Sequence, residues 1–437
     1  MEVNHILNEI PKLTSFKWYG KVTQVVGLLI EARGPQASIG KLCYISTEKK
    51  PSKKIMAEVV GFKDGKVLLM PFDTLQDIAP GSLVESTRNP LRINVGTDLI
   101  GKVVDGIGRP LQGMDSGKGS IPYPTDNAPP NPMERPRISS PLNLGIRAVD
   151  SLFTVGKGQR MGIFAGSGVG KSTMMAMIAK NSDADVNVIA LIGERGREVK
   201  EFIERDLGEE GLKKTIVVVA TSDQPALMRI KGAMTATAIA EYFRDLGMNV
   251  TLMMDSVTRV AMAQREIGLA VGEPPTTKGY TPSVFAILPR LLERSGTNKF
   301  GSITAFYTVL VDGDDLSEPV ADAVRGILDG HLVLDRKLAN KGQFPAVNVL
   351  KSVSRVMKDI VAKDHIQAAD KIRNLISIYE ESEDLITIGA YKNGSNKDVD
   401  EAIRLQPQII SFLKQGNEEE VSFQESIDQL KKTVGKV

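Results

Sequence analysis

Arg160-Met161-Gly162-Ile163-Phe164-Ala165-Gly166-Ser167-Gly168-Val169-Gly170-Lys171-Ser172-Thr173 joins an apolar run to a glycine-rich one, and the helical pattern Met174 to Lys180 follows at once. A strand, a glycine loop and a helix in that order form the setting of a phosphate-binding loop of the Walker A type. Glycines let the backbone curl so that successive N–H groups point inward at phosphate oxygens, and the helix N-terminus adds partial positive charge. Gly166, Ser167, Gly168, Val169, Gly170, Lys171, Ser172 and Thr173 are therefore the expected cradle for a polyphosphate. Lys171 would lie along the β and γ phosphates, and the Ser172 hydroxyl would take a Mg²⁺ coordination position. The strict pattern opens on glycine where this chain has Ala165; the added methyl is small and Gly166 follows immediately.

Around this loop the chain alternates short apolar runs with amphipathic helical patterns. Gln159 to Ala165, Val186 to Ile192, Thr215 to Ala220, Val250 to Asp255 and Ser302 to Val311 are the expected strands. Buried strands each trailed by a helix predict an α/β fold: a mostly parallel sheet covered on both faces. Residues at the C-terminal ends of such strands face the ligand crevice, so Asp255 is a candidate to hold Mg²⁺ through its water shell. Taken alone, an Asp after a strand is as readily a turn or cap residue. Gly193-Glu194-Arg195-Gly196-Arg197-Glu198 follows the strand ending at Ile192. Glu194 is the candidate base or water-orienting group and Arg195 a candidate neighbour of the γ phosphate, with a solvated charged turn as the plain alternative.

The flanks differ in character. Lys21 to Glu31, Lys41 to Ser46, Ile55 to Phe62, Lys66 to Pro71 and Ser82 to Thr87 predict a small β-barrel, with Asp64-Gly65 as a hairpin signal. The proline-rich stretch 121–141 reads as a long irregular connection. Asp364 to Tyr379 and Asp398 to Leu413 predict a helical end. The expected division is a leading helix at 1–20, a barrel at 21–90, a phosphate-loop domain at 91–363 and a helical domain at 364–437.

Bulk properties bound the reading. A chain of 437 residues with 42% hydrophobic and 25% charged residues is a globular protein of more than one domain. Lys plus Arg number 55 against 53 Asp plus Glu, so no overall field draws the chain to nucleic acid or anionic lipid. Cys43 is the single cysteine and cannot form an intrachain disulfide, and three histidines offer no zinc-ligand spacing. No run reaches the about 18 apolar residues of a membrane helix, and Met1 to Pro11 lacks a secretory pattern, so a cytoplasmic location is expected.

The run Ala165 to Thr173, the stretch Gly193 to Val199, and Asp255-Ser256-Val257-Thr258-Arg259 resemble the RecA-like ATPase core shared by rotary ATP synthase subunits and type III export ATPases. Gly272-Glu273-Pro274-Pro275-Thr276-Thr277-Lys278-Gly279-Tyr280-Thr281-Pro282-Ser283-Val284-Phe285 and Arg325 to His331 resemble the export branch. Ile388-Gly389-Ala390-Tyr391 with Gly394-Ser395 resembles its flagellar members more than the injectisome ones. The likeness covers barrel, core and helical end.

This resemblance implies Mg-dependent ATP hydrolysis that energises export of flagellar proteins. Glu194 falls on the family's catalytic glutamate, which non-catalytic rotary subunits replace with an amide. Arg355 falls on an arginine finger that reaches the neighbouring subunit's site, Arg259 on a second phosphate-facing arginine, and Phe344 on the aromatic that stacks on adenine, where core packing is the alternative. A shared site implies a closed ring, and the resemblance implies that the ring is a homohexamer. The loop Gly272 to Pro282 would line a central channel that takes a coiled-coil stalk protein. Met1 to Gly20, with Val3, Ile6, Leu7 and Ile10 at helical spacing, would bind a peripheral regulator or pack on its own barrel. An export gate and chaperone–substrate complexes are the further partners, with the enzyme held peripherally at the inner face of the cytoplasmic membrane. A ring-shaped RNA translocase and a rotary synthase subunit remain as other classes. The translocase would need basic and aromatic residues on its barrel.

Overall fold

The computed structural model describes residues 18–46, 54–74, 77–111, 119–311 and 315–435. Most of the expected leading helix, including Val3, Ile6, Leu7 and Ile10, lies outside the described residues. Packing divides the chain into two compact units, one holding the N-terminal region through Arg92 with 224–228 and 263–282, the other holding the rest.

In the first unit, β1 (Tyr19–Val26), β2 (Leu29–Arg33), β3 (Lys41–Ser46), β4 (Lys54–Lys63), β5 (Lys66–Pro71) and β6 (Leu83–Pro90) close a barrel in the order β1-β2-β5-β4-β3-β6. Every pairing is antiparallel, and closure leaves no free edge. Val22, Ile30, Ala32, Cys43, Ile45, Val59, Leu69 and Val84 fill the interior. The sequence reads Lys21 to Glu31 as one strand, but the chain turns at Gly27, whose φ of 56° suits a tight turn, and Val26 pairs with Leu29. Asp64 and Gly65, at φ 50° and 70°, make the hairpin expected between β4 and β5. In the same unit, Thr276 donates from both its N–H and its hydroxyl to the Tyr280 carbonyl at 2.7 Å, closing the loop within Gly272 to Pro282. The Arg265 guanidinium lies 5.8 Å over the Tyr280 ring.

The second unit opens with a ribbon of β7 (Arg92–Val95) and β9 (Ile121–Pro124). Its sheet comprises β8 (Val103–Asp105), β10 (Arg160–Ala165), β11 (Val186–Ile192), β12 (Thr215–Ala220), β13 (Asn249–Asp255), β14 (Gly296–Thr297), β15 (Ser302–Leu310), β16 (Gly330–Leu334) and β17 (Val353–Ser354). The order is β17-β16-β10-β15-β13-β11-β12-β8, with β14 alongside β15. All neighbours are parallel except β16–β17 and β14–β15. Every residue of β11 and β12 is buried, as a strand covered on both faces requires. The five strands expected in this region are all present.

Helices Lys363–Thr387, Lys397–Leu413 and Phe423–Val434 form the helical end. Their apolar faces do not make a separate core: Ala368, Ile372, Leu405, Ile409 and Leu430 pack in one cluster with Leu144, Val149, Met175 and Ile178 of the nucleotide-side layer. Gln415 fastens this junction, accepting from Arg147 N at 2.7 Å and donating to the Gly145 carbonyl at 2.8 Å. The Arg147 guanidinium also reaches the carbonyls of Phe412 and Lys414 and pairs with Glu419.

The proline-rich connection is pinned by a buried ion pair. Arg294, 1% exposed, donates to both Glu241 oxygens at 2.8 and 2.7 Å and to the Thr125 carbonyl at 2.8 Å. Asn127 adds a bond to Glu241 at 2.7 Å. Arg294→Met strands a buried carboxylate and is expected to destabilise by about 3–5 kcal/mol. The double variant Arg294→Met with Glu241→Leu should lose less than the single one; urea unfolding of the three proteins measures the difference.

Candidate nucleotide site

The loop after β10 owes its path to glycine. Gly168 and Gly170 sit at φ 76° and 87°, a conformation that β-carbon-bearing residues rarely adopt. Gly170 is the N-cap of helix Lys171–Asn181, and no side chain caps that helix. The first N–H groups of the helix thus keep their capacity to bind an anion. A Cβ at Gly170 would stand 3.3 Å from Cδ1 of Phe344, so the Phe344 ring rests against the loop. Phe344 is 41% exposed, and its carbonyl accepts from Gln415 N at 2.9 Å.

Three parallel strands deliver charge to one point. Lys171 follows β10, Glu194 follows β11, and Asp255 ends β13. Lys171 Nζ donates to Asp255 Oδ1 at 2.6 Å and lies 3.7 Å from Glu194 Oε1. Thr308 Oγ1 donates to the same Asp255 oxygen at 2.7 Å. Glu194 Oε1 is buried without a hydrogen-bond partner. Burial, seconded by the charge of Asp255, pushes the Glu194 carboxyl up to about 6 despite the opposing Lys171 ammonium. Gly193, at φ 72°, leaves room for Arg259: a Cβ there would fall 2.7 Å from the Arg259 Cβ. Arg259 Nε is buried without a partner.

The phosphate loop, Glu194, Asp255, Arg259 and Phe344 line one cleft of about 850 Å³, within the size range of small-molecule sites. Arg195 also borders it, but its side chain is 81% exposed and pairs with Glu198 at 3.0 Å. Arg355 does not line this cleft. It follows the edge strand β17, its N–H donates to the Asp329 carbonyl at 3.0 Å, and its side chain is exposed. Sequence reasoning missed Thr308, because a threonine inside an apolar strand looks like any β-branched residue.

The donor set suits a hard cation. Ser172, Asp255 and the orphaned Glu194 oxygen offer only oxygen, and Mg²⁺ characteristically takes one or two protein oxygens plus waters and phosphates. Among the described residues no group of three or more His, Cys, Asp or Glu forms a protein cage for a metal.

A glycine loop at the end of one parallel strand and a carboxylate at the end of the strand next but one define a P-loop nucleotide hydrolase. Comparison with known proteins narrows the class. Residues 22–88 match the β-barrel domain of the ATP synthase alpha/beta family, 145–354 its nucleotide-binding domain, and 361–432 the C-terminal domain of the type III secretion EscN ATPase. The flagellum-specific ATP synthase of Bacillus subtilis is 65% identical over 100% of this chain and 99% of its own. That of Treponema pallidum is 51% identical over 96% and 94%. The assembled ATPase EscN of the enteropathogenic E. coli type III secretion system superposes with a TM-score of 0.88 at 44% identity, covering 95% of this chain and 100% of that one. The chain belongs to the family of flagellar and type III secretion ATPases, and it is an ATP-hydrolysing enzyme.

Glu194 takes up a proton below about pH 6, so the base role expected of it predicts that kcat/KM for ATP falls as pH drops below that point. Initial rates at low ATP between pH 5 and 8 test this. In Glu194→Gln the rate should be low and lack that limb.

Proposed function

We propose that this chain is the Mg-dependent ATPase of a flagellar type III export apparatus, acting as a homohexameric ring. The carrying observation is the split of its charged groups: Lys171, Glu194 and Asp255 meet in one cleft while Arg355 stands exposed outside it. A site lacking its own finger is completed by a second copy.

In this reading Gly166 to Thr173 wrap the phosphates, and Lys171 leaves Asp255 for the β and γ oxygens. Ser172 and Asp255 would hold magnesium, which would supply charge neutralisation to the phosphates. Glu194 orients the attacking water and receives its proton, helped by a carboxyl that burial has made more basic. Arg259, Arg195 and the neighbour's Arg355 stabilise charge on the transferring group. The half-exposed Phe344 ring stacks on adenine.

The partners follow from the same reading. EscN has been solved in complex with its central stalk EscO, at 46% identity to this chain and a TM-score of 0.87. That likeness supports a coiled-coil stalk protein against Gly272 to Pro282 here, in a loop closed by Thr276 and Tyr280. A peripheral regulator would engage the N-terminal segment, and chaperone–substrate complexes and an export gate would receive the work. Among the described residues no helix is long and apolar enough to cross a membrane; in this reading the enzyme is held peripherally at the inner face of the cytoplasmic membrane.

Hydrolysis measured against protein concentration tests the ring. Specific activity should rise with concentration, Glu194→Gln and Arg355→Ala should each lose about 10³-fold or more, and an equimolar mixture should regain activity at interfaces pairing an intact Glu194 with an intact Arg355. Concentration-independent activity with an unimpaired Arg355→Ala would remove both the finger and the homohexamer.

A further inference from the structure

Thr308 has no role in the site as described so far. It lies on β15, between β10 and β13, and is fully buried. Across the sheet Ile163 is its register partner on β10, and Met254 pairs with the preceding Tyr307, which brings Thr308 beside Asp255. Its hydroxyl stands 2.7 Å from Asp255 Oδ1 and 3.3 Å from the Met254 carbonyl. A hydroxyl has one proton to give, and the shorter, charge-assisted bond to the carboxylate takes it. Packing does not ask for threonine here. Its neighbours Phe306 and Val309 are buried apolar residues, and valine would match its shape without the donor.

Asp255 Oδ1 therefore has two donors of different character, Lys171 Nζ and Thr308 Oγ1. The ammonium rides a flexible four-carbon stem and can turn to the phosphates of a nucleotide. The β-branched hydroxyl, stiff at χ1 on a buried strand, stays in place. We infer that Thr308 is a positioning residue for Asp255, holding its carboxylate in the orientation that receives magnesium after Lys171 has moved to the phosphates. The inference rests on the magnesium role proposed for Asp255. Its distinguishing consequence is asymmetry: Thr308 matters little while Lys171 still holds Asp255, and much once nucleotide and metal are bound together.

The test is equilibrium binding of a fluorescent ADP analogue to the full chain, in EDTA and in excess Mg²⁺. The ratio of the two Kd values measures how far magnesium tightens the nucleotide. Thr308→Val should reduce that ratio about tenfold, the worth of a hydrogen bond to a charged group, with the affinity in EDTA little changed. Thr308→Ser, which keeps the hydroxyl, should restore the ratio. If Thr308→Val does not fold, Thr308→Cys, a weak donor, replaces it and should fall short of Thr308→Ser. A ratio unchanged in the donor-poor variant overturns the inference, and so does equal weakening with and without magnesium, which marks a structural role. Asp255→Asn separates the two claims. If it keeps the full magnesium effect, the metal role of Asp255 fails; if it loses the effect while Thr308→Val keeps it, only the role of Thr308 fails.

Discussion

One ammonium held between two carboxylates organises the second unit. Lys171 meets Asp255 at 2.6 Å and Glu194 at 3.7 Å, yet the three residues belong to three separate strand ends. Such a meeting requires parallel strands, because only then do successive C-termini emerge along one edge. It also requires β10, β13 and β11 to lie near one another in the order β10-β15-β13-β11. The sheet order is thus the means by which residues far apart in the chain reach a single ammonium. Two carboxylates near one cation in a low-dielectric place leave one of them poorly satisfied. Glu194, with a buried oxygen lacking a partner and a carboxyl pushed up to about 6, is that one. Its raised carboxyl comes from burial and from crowding by Asp255 together.

Much of this was legible in the chain before its coordinates. The glycine loop carries its own geometry, since Gly168 and Gly170 occupy backbone angles that few other residues tolerate. The five principal strands announce themselves as apolar runs because both faces are covered. The missed elements are short: β16 has five residues, β7 and β9 four each, β8 three, and β14 and β17 two each, too few to show a period, and β9 lies inside the stretch 121–141 that reads as irregular. Lys21 to Glu31 looked continuous because a single glycine suffices to turn a hairpin. Thr308 and Arg294 were invisible for another reason. Their importance lies in partners 53 residues away in each case, and no local pattern encodes such a pairing. The roles of Phe344 and Arg355 came from resemblance alone, since an aromatic before a proline and an exposed arginine carry no chemistry by themselves.

The barrel presents a contrast. Its interior is apolar and its strands close on themselves, and the Lys171–Asp255–Glu194 cluster lies wholly in the other unit. Among the described residues the candidate site lies in the layered sheet of the second unit.

The helical end shares its hydrophobic core with that sheet, and Gln415 bonds at once to Gly145, to Arg147 and, through its backbone N–H, to the carbonyl of Phe344. A pull on the C-terminal helices would therefore reach the aromatic ring that rests on Gly170 after crossing a single peptide hydrogen bond. The helices are thus less an attached module than a continuation of the layer that carries the glycine loop, joined to it by core packing and by the bonds of one glutamine.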